Sequence, residues 1–246
     1  MWYFLREYFF PQGCGVCGKM LLNKEETWYG LCSKCRMKLV GESDNTAVNR
    51  CDLCGRPLIS ESGRCLPCRE MAETELPAYD RIISLFPYTG KYQKLLEAFK
   101  FRKSLGTGNF IAEQLTGSLK LLPLSENKMP VFVPVPPRPG KIRKSGWDQI
   151  AALSKLLKRI IGDNPEHKLP KIKPCLVRKK SQTQKSLDRK DRRKNLKGRI
   201  IARGKVPEEC ILFDDVITTG STMNACAMAL KQAGAAKVYG ICLFYD

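Results

Sequence analysis

From Ile82 onward, apolar residues fall into two alternating rhythms. Ile82 to Phe86 is a short, nearly unbroken apolar run, as in a strand covered on both faces. Lys91 to Arg102 instead spaces Leu95, Leu96 and Phe99 along one face of a helix, and Phe110, Ile111, Leu115 and Leu119 repeat that spacing. Pro123 and Pro130 bracket a loop. Val131, Phe132 and Val133 make a second buried strand, ended by Pro134, Pro136, Pro137 and Pro139. Trp147 to Ile161 is helical, with Ile150, Leu153, Leu157 and Ile160 on one face. Ile172 to Val177 reads as a strand that Pro174 confines to an edge or a bulge. Cys210 to Phe213 and Val238 to Phe244 are strands flanking a helix through Ala225 to Gln232. Strands alternating with helices predict an α/β fold for residues 76–246, a parallel doubly wound sheet. Such sheets bind ligands beyond the carboxyl ends of their strands, where Asp214 and the loop from Pro134 to Arg138 fall.

Residues 1–75 are organised by cysteine instead. Four Cys-x-x-Cys pairs occur: Cys14 with Cys17, Cys32 with Cys35, Cys51 with Cys54, and Cys65 with Cys68. A repeat underlies them, because Cys14-Gly15-Val16-Cys17-Gly18-Lys19-Met20-Leu21 resembles Cys51-Asp52-Leu53-Cys54-Gly55-Arg56-Pro57-Leu58, and each copy is followed by Cys-x-x-Cys-Arg. Repeats of this kind fold as two similar units. Four thiolates close a tetrahedral site, which suits structural zinc. The repeat predicts two sites paired in sequence, Cys14, Cys17, Cys32 and Cys35 in one, Cys51, Cys54, Cys65 and Cys68 in the other. The metals would supply most of the folding energy of so small a module. Redox chemistry of the thioredoxin kind lacks its βαβ setting here. Cys175, Cys210, Cys226 and Cys242 stand in apolar strand or helix contexts and read as buried thiols. His167, the only histidine, reads as a surface loop residue, which leaves no histidine base for catalysis.

The formal charge is +19, and residues 138–205 hold 23 Lys and Arg against 5 Asp and Glu, nearly the whole excess. A localised basic band implies a polyanionic partner. Arg178, Lys179, Lys180, Lys185, Arg189, Arg192, Arg193 and Lys194 are its candidate nucleic-acid contacts. Aromatics are scarce there, so backbone contact fits better than base stacking. No run of about eighteen apolar residues could span a membrane. The apolar start, Met1 to Phe10, is broken by Arg6 and Glu7 and lacks a basic lead and a cleavage site. It reads as a short helix packed on the cysteine module. The expected location is cytoplasmic, with peripheral contact at the inner membrane face as the alternative.

The densest chemistry lies in Ile211-Leu212-Phe213-Asp214-Asp215-Val216-Ile217-Thr218-Thr219-Gly220-Ser221-Thr222. A buried strand leads to two carboxylates, then to hydroxyls around a glycine at a helix start. Backbone N–H groups at such a start favour an anion, Gly220 permits close approach, and the hydroxyls can donate to phosphate oxygens. Asp214 and Asp215 suit sugar hydroxyls or a magnesium ion. A simple helix cap needs only one of these hydroxyls. The run resembles the phosphoribosyl-diphosphate signature of type I phosphoribosyltransferases. That resemblance implies that Asp214 and Asp215 hold the ribose hydroxyls while residues Val216, Ile217, Thr218, Thr219, Gly220, Ser221 and Thr222 surround the 5-phosphate.

Further matches narrow the family. Val133-Pro134-Val135-Pro136 is followed by Arg143-Lys144-Ser145-Gly146-Trp147-Asp148-Gln149, then by Thr183-Gln184, Leu187, Arg192 and Asn195; Lys100-Phe101 also fits. Together with the cysteine module these resemble the ComF family, a phosphoribosyltransferase-like domain preceded by a double zinc ribbon, over almost the full length. The resemblance implies phosphoribosyl diphosphate bound with magnesium, Val135, Pro136 and Pro137 beside its pyrophosphate, and Arg138, Arg143 and Lys144 neutralising it. It further implies handling of single-stranded DNA in natural transformation, alongside DNA-uptake or DNA-processing proteins. The alternative is an active transferase on an unknown base. Three positions depart from the family pattern: Ser145 for Arg, Trp147 for Phe and Asp148 for Asn. The lost Arg and the gained acid are expected to weaken phosphate contact in the hood loop.

Overall fold

A computed structural model of the chain describes residues 12–41, 49–58, 60–74, 76–125, 130–162, 171–179 and 198–246. Five strands form the main sheet: β1 (Arg81–Pro87), β2 (Val131–Pro134), β3 (Lys171–Ile172), β6 (Glu209–Ile217) and β7 (Lys237–Tyr245), in the order β1-β7-β6-β2-β3. Every pairing is parallel. Alternate side chains of β6 feed the two faces, as strand geometry requires. Ile211 and Phe213 join Leu95, Phe99, Phe110 and Leu153 in one core, supplied by helices α4 (Gly90–Lys100), α5 (Leu105–Gly117) and α7 (Gln149–Gly162). Cys210 and Leu212 join Val133, Ala227, Leu230 and Val238 in the other, under α8 (Ser221–Gln232). The sheet is therefore doubly wound. Cys175, Cys210, Cys226 and Cys242 are all buried.

Two elements differ from the sequence expectation. The run from Ile172 to Val177 is not one strand: Ile172 pairs with β2, whereas β4 (Leu176–Arg178) pairs antiparallel with β5 (Ile200–Ala202) in a separate small sheet. Pro174 lies at the break, where its missing N–H and fixed φ release the chain from the main sheet. Strand β6 is also longer than its apolar start, running through both aspartates to Ile217 and pairing Val216 with Phe244.

The two cysteine repeats form matching knuckles. Cys14 N donates to Lys19 O at 2.7 Å and Cys51 N to Arg56 O at 2.9 Å, and Gly18 and Gly55 both take positive φ, 76° and 68°. Helices α1 (Lys24–Tyr29), α2 (Ser33–Gly41) and α3 (Leu66–Thr74) complete the module. The copies dock differently. The first sits on α4 and α5, where a Cβ on Gly15 would stand 2.5 Å from Thr107 Cγ2. The second caps the edge strand β1: Ile82 N donates to Leu53 O at 2.8 Å, Ser84 Oγ to Cys54 O at 3.1 Å, and an Arg50 guanidinium N–H to Ser84 O at 2.7 Å. The module thus shares both cores with the sheet and covers an edge open to strand addition.

That docking predicts unequal costs for two glycines of one repeat. A Cβ on Gly18 meets open space, so Gly18→Ala should cost only the left-handed backbone, about 1 kcal/mol. A Cβ on Gly55 would lie 2.5 Å from Ile82 O and 2.7 Å from Ile83 Cα, so Gly55→Ala should cost about 3 kcal/mol or more by urea unfolding. Equal costs would mean that the second knuckle is not seated on β1.

Candidate metal centres and phosphate corner

Each cysteine set gathers in sequence order. The sulfurs of Cys14, Cys17, Cys32 and Cys35 lie within 4.8 Å of one another, and so do those of Cys51, Cys54, Cys65 and Cys68. Cys17 and Cys32 are 3.7 Å apart, as are Cys54 and Cys65. A zinc–thiolate tetrahedron with bonds of about 2.3 Å has edges of about 3.8 Å, so both sets fit zinc. The knuckle supplies two ligands of each site, and the helix that follows (α2 or α3) holds the fourth. Burial works to raise the Cys14 thiol, but backbone N–H groups of Cys17, Cys32 and Val16 outweigh it and hold the thiol at about 7. Such donors favour the thiolate that a metal needs. No described helix is long and apolar enough to cross a membrane.

The second centre of interest is the turn from β6 into α8. Gly220, with φ +70°, caps the helix without a side chain of its own, and the first amide, Ser221 N, donates to Thr219 Oγ1 at 3.4 Å. Thr219 Oγ1 and Ser221 Oγ share a hydrogen bond at 2.8 Å, and Thr218 is exposed. Val216 and Ile217 are strand residues whose side chains pack against the two cores, and their backbone is engaged: Val216 N donates to Asp215 Oδ1 at 3.0 Å and Ile217 O accepts from Asp246 N at 3.1 Å. Asp214 is half-buried. Burial, then the adjacent Asp215, push its pKa well above the usual carboxylate range. Asp215 N donates to Asp214 Oδ1 at 2.9 Å.

One arginine interacts with this corner and a second interacts with the first. Arg178, on β4, is half-buried; burial and the neighbouring Arg138 lower its pKa, and Asp214 opposes them. Arg138 itself is exposed on the loop after β2, with Val135 and Pro136 buried behind it. Arg143 and Lys144 are exposed on the short helix α6 (Lys141–Ser145). Lys179 is exposed at the end of β4. Lys180, Lys185, Arg189, Arg192, Arg193 and Lys194 lie outside the described residues, as do Met1 to Phe10 and His167.

A buried polar network ties the hood segment to the acid pair. Lys141 Nζ donates to Asp148 Oδ2 at 3.0 Å and to Gln149 Oε1. Gln149 Nε2 donates to Asp215 Oδ2 at 2.6 Å, and Lys100 Nζ stands 3.5 Å from the same oxygen. Asp215 is therefore held from the α4–α7 face, while Asp214 points to the α8 face. Asp148 Oδ1 accepts from Ala151 N at 2.7 Å, which caps α7 two residues later than the apolar spacing suggested. Its charge is absorbed by Lys141 and the side chain is 3% exposed, so the Asp-for-Asn departure adds no open negative charge at the corner. Trp147 packs edge-on against Phe99, ring centroids 6.0 Å apart.

Comparison with known proteins agrees with this construction. The family model of the double zinc ribbon domain matches residues 5–73. Competence protein F of Haemophilus influenzae is 27% identical over 216 residues, 85% of this chain and 87% of that protein. Competence protein ComFC of Bacillus subtilis is 27% identical over 240 residues, 91% of this chain and 90% of its own. The chain is similar to these competence proteins over most of its length. The DNA utilization protein YhgH of Salmonella typhimurium is likewise 26% identical over 235 residues, covering 93% of this chain and 96% of that one. Among solved structures, a Trypanosoma cruzi hypoxanthine phosphoribosyltransferase aligns with 56% of this chain and 63% of its own, less than two thirds, at 12% identity and a TM-score of 0.34, too loose to bear on the site.

Sequence reasoning overlooked Lys100, Lys141 and Gln149 as residues of this network. Lys100 and Gln149 both belong to the short runs that matched the family pattern, which was the available signal. Their connection to Asp215 is tertiary, across 115 and 66 positions of chain, and no local spacing reveals it.

Proposed function

We propose that this chain binds phosphoribosyl diphosphate with magnesium at the corner between β6 and α8, and that it serves the handling of single-stranded DNA in the cytoplasm. The observation that carries the reading is the turn from β6 into α8: the acid pair, then hydroxyls around Gly220 at positive φ, with Arg178 interacting electrostatically with Asp214. Asp214 would take the ribose hydroxyls, with Asp215 steadying the turn from its anchor on Gln149 and Lys100. The amides and hydroxyls from Thr218 to Thr222 would surround the 5-phosphate. Arg138 and Arg178 would face the diphosphate, and Arg143 and Lys144 would close over it. Magnesium prefers oxygen donors, which the diphosphate and Asp214 both offer. The DNA link rests on the names of the relatives, competence and DNA utilization proteins, and on the basic band.

Transfer of the ribose 5-phosphate to a base is the second reading. Guanidiniums placed where a diphosphate leaves are what such a step needs, more than a covalent nucleophile. Calorimetry with phosphoribosyl diphosphate and magnesium tests the pocket. The unaltered protein should bind, and the double variant Asp214→Asn with Asp215→Asn should bind at least tenfold more weakly; equal binding defeats the assignment. Release of pyrophosphate with a panel of bases then separates a binding protein from a transferase.

Single-stranded DNA tests the band. Affinity should fall steeply with salt, and replacing Arg192, Arg193 and Lys194 together should make the log–log slope shallower by about 2, at about 0.7 per phosphate contact. A flat salt response would remove the electrostatic case.

A further inference from the structure

A pocket of about 290 Å³ lies at the β3 edge of the sheet, between α7 and the loop after β2. None of its lining residues belongs to the acid pair or to the hydroxyl turn. Its wall is apolar, with Val135, Ile150, Ile172 and Leu176 among prolines at 134, 136, 137 and 174. Prolines carry no N–H, so the wall offers few donors to a hydrated sugar or a bare phosphate.

The polar groups at the rim sort into two kinds. Asp148 is already spent on Lys141 and the amide of Ala151, and Ser154 Oγ donates to Ile150 O at 2.7 Å. Lys155 and Lys158 are exposed, stand on the same side of α7, and have no carboxylate partner among the described residues. Among the described residues the open charge at the mouth is therefore positive only. A second copy docked with its two-fold axis through this mouth would set those lysines near their equivalents, which disfavours that form of self-association.

We infer that this pocket is a binding site for a compact organic anion: an apolar body of roughly a dozen non-hydrogen atoms, by scaling from a cavity of about 150 Å³ that holds benzene, with one carboxylate or phosphate at Lys155 and Lys158. The pocket shares Val135, Pro136 and Pro137 with the pyrophosphate side of the phosphoribosyl diphosphate reading, but the anion contacts inferred here, Lys155 and Lys158, play no part in that reading. Apolar walls favour the body by removing it from water, and the lysines select the sign of the head group.

Three probes of equal shape test it on the full chain by saturation-transfer NMR and calorimetry: naphthalene-2-carboxylate, 2-naphthalenemethanol and 2-naphthylmethylamine. The carboxylate should bind at least tenfold more tightly than the amine, with the alcohol between them. Replacing Lys155 and Lys158 by Gln should erase the difference between acid and amine. Ala151→Leu, at an exposed lining position that the fold tolerates, should weaken all three by narrowing the pocket. Binding by none of the probes, equal binding of acid and amine, or acid binding that Ala151→Leu leaves unchanged would overturn the inference. A change of sedimentation coefficient on Ala151→Leu would also overturn it, by showing that a second copy covers this face.

Discussion

Replacing Asp214 by Asn will make the fold more stable at pH 8 while removing its ligand affinity. The two effects have one cause. Burial and the Asp215 carboxylate raise the Asp214 pKa well above the usual range, so the folded chain holds that proton more tightly than the unfolded chain does. Such an acid contributes nothing unfavourable below the unfolded pKa of about 3.9, because both states are protonated there. As pH rises through the folded pKa, ionisation costs stability, and the cost is complete above it. An amide carries no such charge. The advantage of Asp214→Asn should therefore be absent near pH 4 and worth a few degrees of Tm at pH 8, read by thermal unfolding at both values. Ligand reverses the balance: magnesium or ribose hydroxyls would satisfy the carboxylate, and that compensation is what the variant loses. An Asn variant less stable at pH 8 would show that Asp214 already has a partner and is a structural residue.

Asp215 should behave oppositely. It accepts from Gln149 and Val216 and pairs with Lys100. Asp215→Asn weakens a charge-assisted bond and strands a lysine, a loss of about 1–3 kcal/mol. Adjacent acids of identical type thus differ in kind: one completes the fold, the other is held at its expense.

The sequence made the corner and the cysteine pairing legible because both are local. A strand, two acids and a hydroxyl-rich turn occupy twelve consecutive residues, and the repeat around Cys14 and Cys51 fixes which thiols share a site. What it hid was nonlocal. Pro174 forbids a continuous strand, but only the packing of β4 and β5 on α8 shows that the chain leaves for a second sheet, which takes Arg178 to the neighbourhood of Asp214. Asp148 read as an added negative charge because Lys141, seven residues earlier on a different element, neutralises it. The repeat likewise implied two equivalent knuckles, whereas Gly15 meets helices and Gly55 meets β1.

That asymmetry sets the largest expected effect of metal loss. The protein should carry two equivalents of zinc by elemental analysis, and breaking the second site should do more damage than breaking the first. Cys54 holds β1 through its carbonyl, which accepts from Ser84 Oγ. Cys65 and Cys68 pack in the same core as Tyr79. Tyr79 in turn reaches the turn from β6 into α8: its hydroxyl is 3.4 Å from where a Cβ on Gly220 would stand, and Ala78 N donates to Asn224 Oδ1 on α8 at 2.7 Å. Cys54→Ser should therefore cost about 3 kcal/mol or more, near 10 °C in Tm for a chain of this size. It should also expose the β1 amides to hydrogen exchange and weaken phosphoribosyl diphosphate binding without touching a ligand contact. Cys17 is exposed, and its knuckle rests on α4 and α5 instead, so Cys17→Ser should leave β1 protected and speed exchange in those helices. If stripping both metals leaves β1 exchange unchanged, the second ribbon is an appendage, and the edge of the sheet is held by the polypeptide alone.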